Sequence, residues 1–134
     1  MSIEPAVNVE ARPSWRLCEE IIGCALRVHR ALGPGLLEST YSTCLAHELA
    51  LTGIAFKREV PLPVRYRGQV LESAYRMDLV VGDEVIVEVK AVEELLPVHG
   101  AQIQTYLKLS GMQVGLLVNF NVRLLKDGLR RVIR

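Results

Sequence analysis

The chain has 134 residues, half of them hydrophobic, so it can bury a sizeable core and is neither a disordered nor a fibrous protein. No apolar run approaches the length of a membrane span and no signal peptide heads the sequence, so we expect a cytoplasmic protein without membrane contact. A net charge of +1 gives no strong electrostatic indication of nucleic-acid binding, although the C-terminal segment is locally basic through Arg123, Lys126, Arg130, Arg131 and Arg134.

A long first helix is predicted near the N-terminus. Ser14 is a suitable N-cap, and apolar residues recur at helical spacing from there to Gly33. The residues before it show no such pattern. We therefore expect residues 1–13 to form a flexible arm and residues 14–134 to form a single folded domain.

A second helix follows after a very short loop. The segment Gly33-Pro34-Gly35 ends the first helix, and helical spacing resumes over residues 36–51, before Gly53. Glu38 falls in the first turn of this helix, where an acid interacts favourably with the helix dipole. Tyr41 follows one turn later and would ordinarily be a core residue with its hydroxyl hydrogen-bonded.

Three strands are predicted next, joined as an antiparallel meander. The segment Phe56–Tyr66 alternates as a half-buried strand does, and Pro61 and Pro63 favour a place at the sheet edge because proline cannot donate a backbone hydrogen bond. A turn leads into a second strand, Val70–Val81, and a third begins at Val85.

The hairpin between the second and third of these strands carries the strongest functional pattern. Glu88 and Lys90 share one face of the third strand. With a three-residue loop, Gly82-Asp83-Glu84, Asp78 would face Glu88, whereas a two-residue loop would move Asp78 off that face; we expect the former, or a bulge of equal effect. Adjacent carboxylates repel, so such a pair usually holds a divalent cation, and Lys90 could then orient the attacking water.

An ordinary explanation exists for the same residues. A Glu-x-Lys triplet on an exposed sheet face would be a cross-strand charge pair that contributes a few tenths of a kcal/mol. If Asp78, Glu88 and Lys90 carry chemistry instead, they should be partly buried beside a cleft. The spacing alone leaves both interpretations open.

A third helix is predicted from Pro97 to Gly111, with proline first and glycine last. His99, Gln102 and Tyr106 fall at spacings of three and four and so form one polar stripe. Because Gln and Tyr stand where a solvated helix usually has charged residues, the stripe is expected to face a cleft.

The remaining chain completes a sheet. Met112–Phe120 is a continuous apolar run typical of an inner strand, and Leu124–Ile133 is predicted to be a final short strand or tail. The element order is ααβββαβ, with one strand more if the tail pairs. This predicts an α/β (α+β) fold with a central mixed sheet, including the antiparallel meander, flanked by helices.

Several motifs occur together along the chain. They are the run from Gly35 to Tyr41 with Glu38 at its centre, the Asp78 strand, Glu88-Val89-Lys90, His99 and Gln102 before Tyr106-Leu107, and Gly115-Leu116-Leu117-Val118-Asn119-Phe120. In this order they resemble the GxxExxY proteins, which look like members of the PD-(D/E)XK nuclease superfamily. The resemblance covers nearly everything from the first helix to the C-terminus and implies a restriction-endonuclease-like core.

The resemblance also implies a metal site. By similarity, Asp78 and Glu88 would bind Mg²⁺ (or Mn²⁺), helped by the backbone carbonyl of Val89. Glu38 would be a further metal-binding carboxylate, presented from the second helix.

Catalytic roles follow from the same resemblance. Lys90 would position the attacking water, and Gln102 with Tyr106 would match the glutamine-tyrosine helix of the RecB-like branch. Glu38, Gln102 and also Tyr41 are expected to point at one cleft. Met77 departs from the superfamily name, which has proline at that position.

The function implied is metal-dependent hydrolysis of a phosphodiester in nucleic acid, with DNA expected ahead of RNA. A monomer of this size offers little contact surface, so a homodimer or a partner protein is also expected. Two alternatives stay open: a catalytically silent nucleic-acid- or protein-binding module on the same fold, and an enzyme acting on a small phosphate compound.

Overall fold

The computed structural model describes residues 14–134 and shows a five-stranded mixed sheet flanked by three helices. The predicted α+β arrangement is confirmed and is consistent with a restriction-endonuclease-like fold; the predicted arm, residues 1–13, lies outside the described residues. Within residues 14–134, no helix is both long enough and apolar enough to cross a bilayer. The elements are α1 (Trp15–Leu32), α2 (Glu38–Leu51), β1 (Phe56–Tyr66), β2 (Gln69–Val81), β3 (Val85–Lys90), α3 (Pro97–Ser110), β4 (Val114–Asn119), a 3-10 helix (Leu125–Gly128) and β5 (Leu129–Ile133).

The strands lie side by side in chain order, from β1 to β5. β1, β2 and β3 pair antiparallel, which confirms the meander, and β1 lies at the sheet edge, where Pro61 and Pro63 are tolerated. β3 and β4 are parallel, because α3 carries the chain back along the sheet between them. β4 is buried throughout between β3 and β5, as its apolar run predicted.

The two faces of the sheet pack into separate hydrophobic clusters. α1 and α2 cover one face, where Val87 lies in their cluster. α3 covers the other face, where Ile86 and Ile103 belong to a second cluster. Because side chains alternate along a strand, Glu88 and Lys90 lie in phase with Ile86, on the α3 side.

The β1–β2 hairpin extends beyond the rest of the sheet. β3 pairs with β2 only over Leu79–Val81, whereas β1 and β2 continue together to a turn at Arg67-Gly68. We call residues 64–76 the outer hairpin. Nearly all of its side chains are exposed, because no other described strand pairs with this part of β2.

Candidate active site

The β2–β3 hairpin decides which side chains meet at its open end. Its loop has three residues, Gly82-Asp83-Glu84, and Val81 pairs with Val85 across it. The odd-length loop predicted from the sequence is therefore confirmed. Counting outward along the antiparallel ladder, Asp78 comes opposite Glu88.

At this position, hydrogen bonds to carboxylate side chains replace the backbone–backbone hydrogen bonds of the ladder. The regular pairing ends at Leu79 and Val87. Beyond it, the Asp78 amide donates a hydrogen bond to Glu88 Oε1 at 3.2 Å, and the Val89 amide donates one to Asp78 Oδ2 at 2.8 Å. Each acid thus accepts a backbone amide of the opposite strand, which fixes both carboxyl groups. The predicted metal-binding role of the Val89 carbonyl stays a prediction.

Glu88 has an unusual electrostatic environment. Its side chain is only 3% exposed. Burial, followed by the repulsion of Asp78, raises the pKa of Glu88 to about 9, and Lys90 opposes this rise only weakly. Two ionised carboxylates are therefore unfavourable here unless positive charge is supplied between them.

The donor atoms of this pair suit a divalent cation. Hard cations such as Mg²⁺ take carboxylate oxygens as ligands and offset the charge that Asp78 and Glu88 would otherwise share. In the part of the chain that the structure describes, no group of three or more His, Cys, Asp or Glu side chains could hold a metal ion. The carboxylate set at this position is thus two acids, which leaves most ligand positions of such an ion to water, backbone or substrate.

Lys90 is held by α3 at the end of β3. Its Nζ donates to Gln102 Oε1 at 3.1 Å, and Gln102 Nε2 donates to the Tyr106 hydroxyl at 3.1 Å. Burial, then the charges of Glu88 and Asp78, raise the pKa of Tyr106, so its hydroxyl stays protonated and able to donate. Gln102 and Tyr106 thus form one hydrogen-bonded chain with Lys90. Gln102 was predicted to point at the cleft that Glu38 lines, but in the structure it contacts Lys90 instead.

His99 belongs to the same predicted stripe but has a different role. Its Nδ1 accepts a hydrogen bond from the Leu96 amide at 2.9 Å. This bond satisfies a backbone donor just before the start of α3. His99 therefore helps to start the helix, and Gln102 and Tyr106 are the members of the stripe that reach Lys90.

A cleft of about 490 Å³ opens beside Asp78. The first turn of α2 forms one wall, so Glu38 lines the same cleft as Asp78, as predicted. Glu38 itself is exposed and does not join Asp78 and Glu88 in a three-acid group. The cleft is lined by Leu37, Glu38, Ser39, Ser42, Arg58, Glu59 and Asp78.

Two cleft residues on β1 were missed from the sequence. Arg58 lines the cleft while one of its nitrogens donates to Thr43 Oγ1 of α2 at 3.1 Å. Glu59 has a left-handed backbone with φ of 48°, which is uncommon for a non-glycine residue. It lies opposite Asp78, at a point where the regular β1–β2 pairing is interrupted. Both residues look like ordinary strand positions in the sequence, so no local signal identifies them.

The prediction that Tyr41 points at the cleft is wrong. Tyr41 is fully buried and its ring stacks on Phe120, with centroids 4.6 Å apart. Its hydroxyl donates to the Gly33 carbonyl and accepts from the Leu36 amide. The tyrosine therefore closes the α1–α2 loop from inside, which orients the first turn of α2 toward the cleft.

Comparison with known proteins agrees with this geometry. A family model described as the PD-(D/E)XK nuclease superfamily matches residues 15–132. No curated protein and no solved structure matches the chain significantly. The matched range spans all three helices and nearly the whole sheet, including the acid pair and Lys90, so the chain belongs to the PD-(D/E)XK nuclease superfamily.

Proposed function

We propose that this protein is a metal-dependent phosphodiester hydrolase acting on nucleic acid, with DNA ahead of RNA. The observation that carries the proposal is the buried Glu88 carboxyl held against Asp78, next to Lys90. A buried acid pair of this kind costs folding free energy. Its presence is expected where the acids bind a cation that the reaction needs.

Asp78 and Glu88 would hold Mg²⁺ or Mn²⁺, and the Val89 carbonyl is a further candidate ligand. A divalent cation bound there supplies positive charge beside the phosphate and lowers the pKa of the attacking water. Glu38, which lines the same cleft as Asp78, would contribute negative charge to the cation at longer range.

Lys90 is the residue we assign to the attacking water. Its ammonium group can donate hydrogen bonds to the water and to a phosphate oxygen, while Gln102 occupies one of its hydrogens and fixes its direction. Tyr106 in turn holds Gln102. Arg58, which lines the cleft beside Asp78, offers guanidinium hydrogens suited to a neighbouring phosphate.

The α2 region supports a narrower relationship, to the GxxExxY proteins. Within the motif from Gly35 to Tyr41, Glu38 lines the cleft and Tyr41 holds the loop that precedes it. These two residues of the motif thus have separate physical roles at the same wall of the cleft.

The test is cleavage of single- and double-stranded DNA and RNA with and without Mg²⁺. We expect metal-dependent cleavage by the wild type and a loss of about 100-fold or more in Lys90→Ala. Lys57→Ala is the matched control, because Lys57 is an exposed lysine of the same sheet, paired with Asp83, and should keep full activity.

Equal cleavage by the wild type and Lys90→Ala would contradict the proposal, since the activity would then not come from this site. Metal-dependent binding of nucleic acid without cleavage by any of the three proteins would also contradict it. That result favours the alternative, a silent binding module on the nuclease fold.

A further inference from the structure

The outer hairpin is positively charged. Over residues 64–76 it carries three arginines and one acid, in a chain whose net charge is only +1. All four of these side chains are exposed. A positive, exposed two-stranded ribbon is suited to the phosphates of a nucleic acid strand.

Tyr75 joins this hairpin to the candidate active site. Its ring centroid lies 6.0 Å from that of Tyr106, and the two rings are tilted by 50°. Leu62, directly opposite Tyr75 on β1, is buried in the cluster on the α3 side, so Tyr75 faces the same side as α3. From Tyr106, hydrogen bonds continue through Gln102 to Lys90.

Half of the Tyr75 side chain is exposed. An exposed aromatic ring fixed by a second ring beside a hydrolytic site has the geometry of a stacking surface for a base. A base within a duplex is already stacked on both faces and paired, so a protein ring stacks most readily on an unpaired base. Arg76, next in sequence, emerges from the other face of the ribbon. Arg76 therefore adds to the positive electrostatic potential around the hairpin and does not contact a base that stacks on Tyr75.

We propose that Tyr75 stacks on an unpaired nucleobase next to the phosphate that Lys90, together with a cation held by Asp78 and Glu88, would bind, so that the protein binds single-stranded nucleic acid in preference to duplex. This rests on the proposed function for the place of the reacting phosphate. Stacking on a base does not depend on the sugar, so both DNA and RNA single strands are candidates.

The test uses single strands of about 12 nucleotides that carry 2-aminopurine, whose fluorescence falls when the base stacks. DNA, RNA and the matching duplexes are titrated with Ca²⁺ in place of Mg²⁺, and the strands are checked for cleavage after each titration, so that binding is measured with a divalent cation present and without turnover. We expect Tyr75→Ala to bind single strands about 5- to 100-fold more weakly and to lose the quenching, while Tyr75→Phe keeps both. Tyr66→Ala removes the 65% exposed tyrosine at the hairpin tip, away from Tyr106, and should keep the quenching and lose less affinity than Tyr75→Ala.

Tyr75→Leu guards against a folding defect, because it keeps an apolar contact with Tyr106 but has no aromatic face. A folded Tyr75→Leu protein with wild-type affinity and quenching would overturn the proposal, as would equal losses in Tyr75→Ala and Tyr66→Ala. Duplex binding as tight as single-strand binding would overturn it too. Tyr75-dependent binding in a protein that cleaves nothing would refute the hydrolase and leave this inference intact.

Discussion

Glu88 shows what it costs to place a charged site inside a sheet. Its neighbours along β3 are Val87 and Val89, and a carboxylate in such surroundings loses most of its hydration. Burial first, and Asp78 second, raise its pKa to about 9. An ionised Glu88 therefore destabilises the fold unless a cation accompanies it, which is typical of functional acids.

A pH dependence of stability follows. In the unfolded chain Glu88 ionises near pH 4.5, but in the folded protein only near pH 9. Between these values the folded state binds more protons, so the free energy of unfolding should fall as pH rises. Glu88→Gln removes this fall. In urea unfolding with chelator, we expect the free energy of unfolding of Glu88→Gln to exceed that of the wild type by at least about 1 kcal/mol at about pH 8. At about pH 4 the two free energies should be nearly equal.

The control for this experiment is Glu94→Gln, which changes an exposed acid in the loop after β3. Its stability should follow the wild-type curve at every pH. Parallel curves for Glu88→Gln and the wild type would mean that Glu88 ionises normally in the folded protein.

At the scale of residues, the sequence predicted the members of the site that follow strand period and loop length. Glu88 and Lys90 share a face by alternation, and the three-residue loop brings Asp78 opposite Glu88. Arg58 and Glu59 could not be predicted in this way. Their place in the cleft depends on an irregularity in the β1–β2 pairing, which no turn residue marks.

At the scale of elements, the loop between α1 and α2 positions the cleft wall. Gly33 and Gly35 have φ of 65° and 101°, conformations that glycine adopts at little cost. The hydroxyl of Tyr41 bonds both to Gly33 and to Leu36 across this loop. Local sequence rules predicted the loop from its glycines, whereas the tyrosine's inward direction depends on Phe120, far along the chain.

Tyr41→Phe should weaken this element without touching the chemistry. It keeps the ring on Phe120 but leaves the two backbone partners of the hydroxyl unsatisfied, so we expect a loss of about 1–2 kcal/mol in the free energy of unfolding. Mg²⁺ affinity, measured by calorimetry, should be unchanged. Tyr66→Phe, at an exposed tyrosine, is the control and should leave both quantities unaltered. A loss of Mg²⁺ affinity in folded Tyr41→Phe that is larger than the loss in Glu38→Gln would instead assign Tyr41 to the site.

The predicted N-cap of α1 is wrong. Ser14 was predicted to cap α1, but its backbone is left-handed and its side chain makes no capping hydrogen bond. Its hydroxyl instead lies 3.4 Å from Glu84 in the β2–β3 loop. A tertiary contact thus takes the side chain that the local pattern assigned to the helix, and this kind of competition is invisible in one sequence.

At the scale of the whole molecule, the site joins elements from both faces of the sheet. α2 and β1 bring Glu38 and Arg58 to Asp78 from one side, and α3 brings Gln102 to Lys90 from the other. The acid pair is assembled only in the folded state, because Asp78 and Glu88 meet through the strand register. Ligands of that pair should therefore bind the folded protein and stabilise all of it.

Mg²⁺ should accordingly raise the free energy of unfolding of the wild type, by roughly 2.7 kcal/mol at a free concentration of about 100 times Kd. The measured quantity is the shift on adding Mg²⁺, so differences in intrinsic stability between variants do not enter.

Asp78→Asn and Glu88→Gln each remove one of the two carboxylates and should abolish most of the shift. Glu38→Gln should reduce it only in part, because Glu38 lines the cleft without joining the pair. Asp83→Asn, at an exposed acid of the same hairpin, should keep the full shift. An equal shift in Glu88→Gln and Asp83→Asn would show that Mg²⁺ binds elsewhere, and an effect of Glu38→Gln as large as that of Asp78→Asn would make Glu38 a direct ligand.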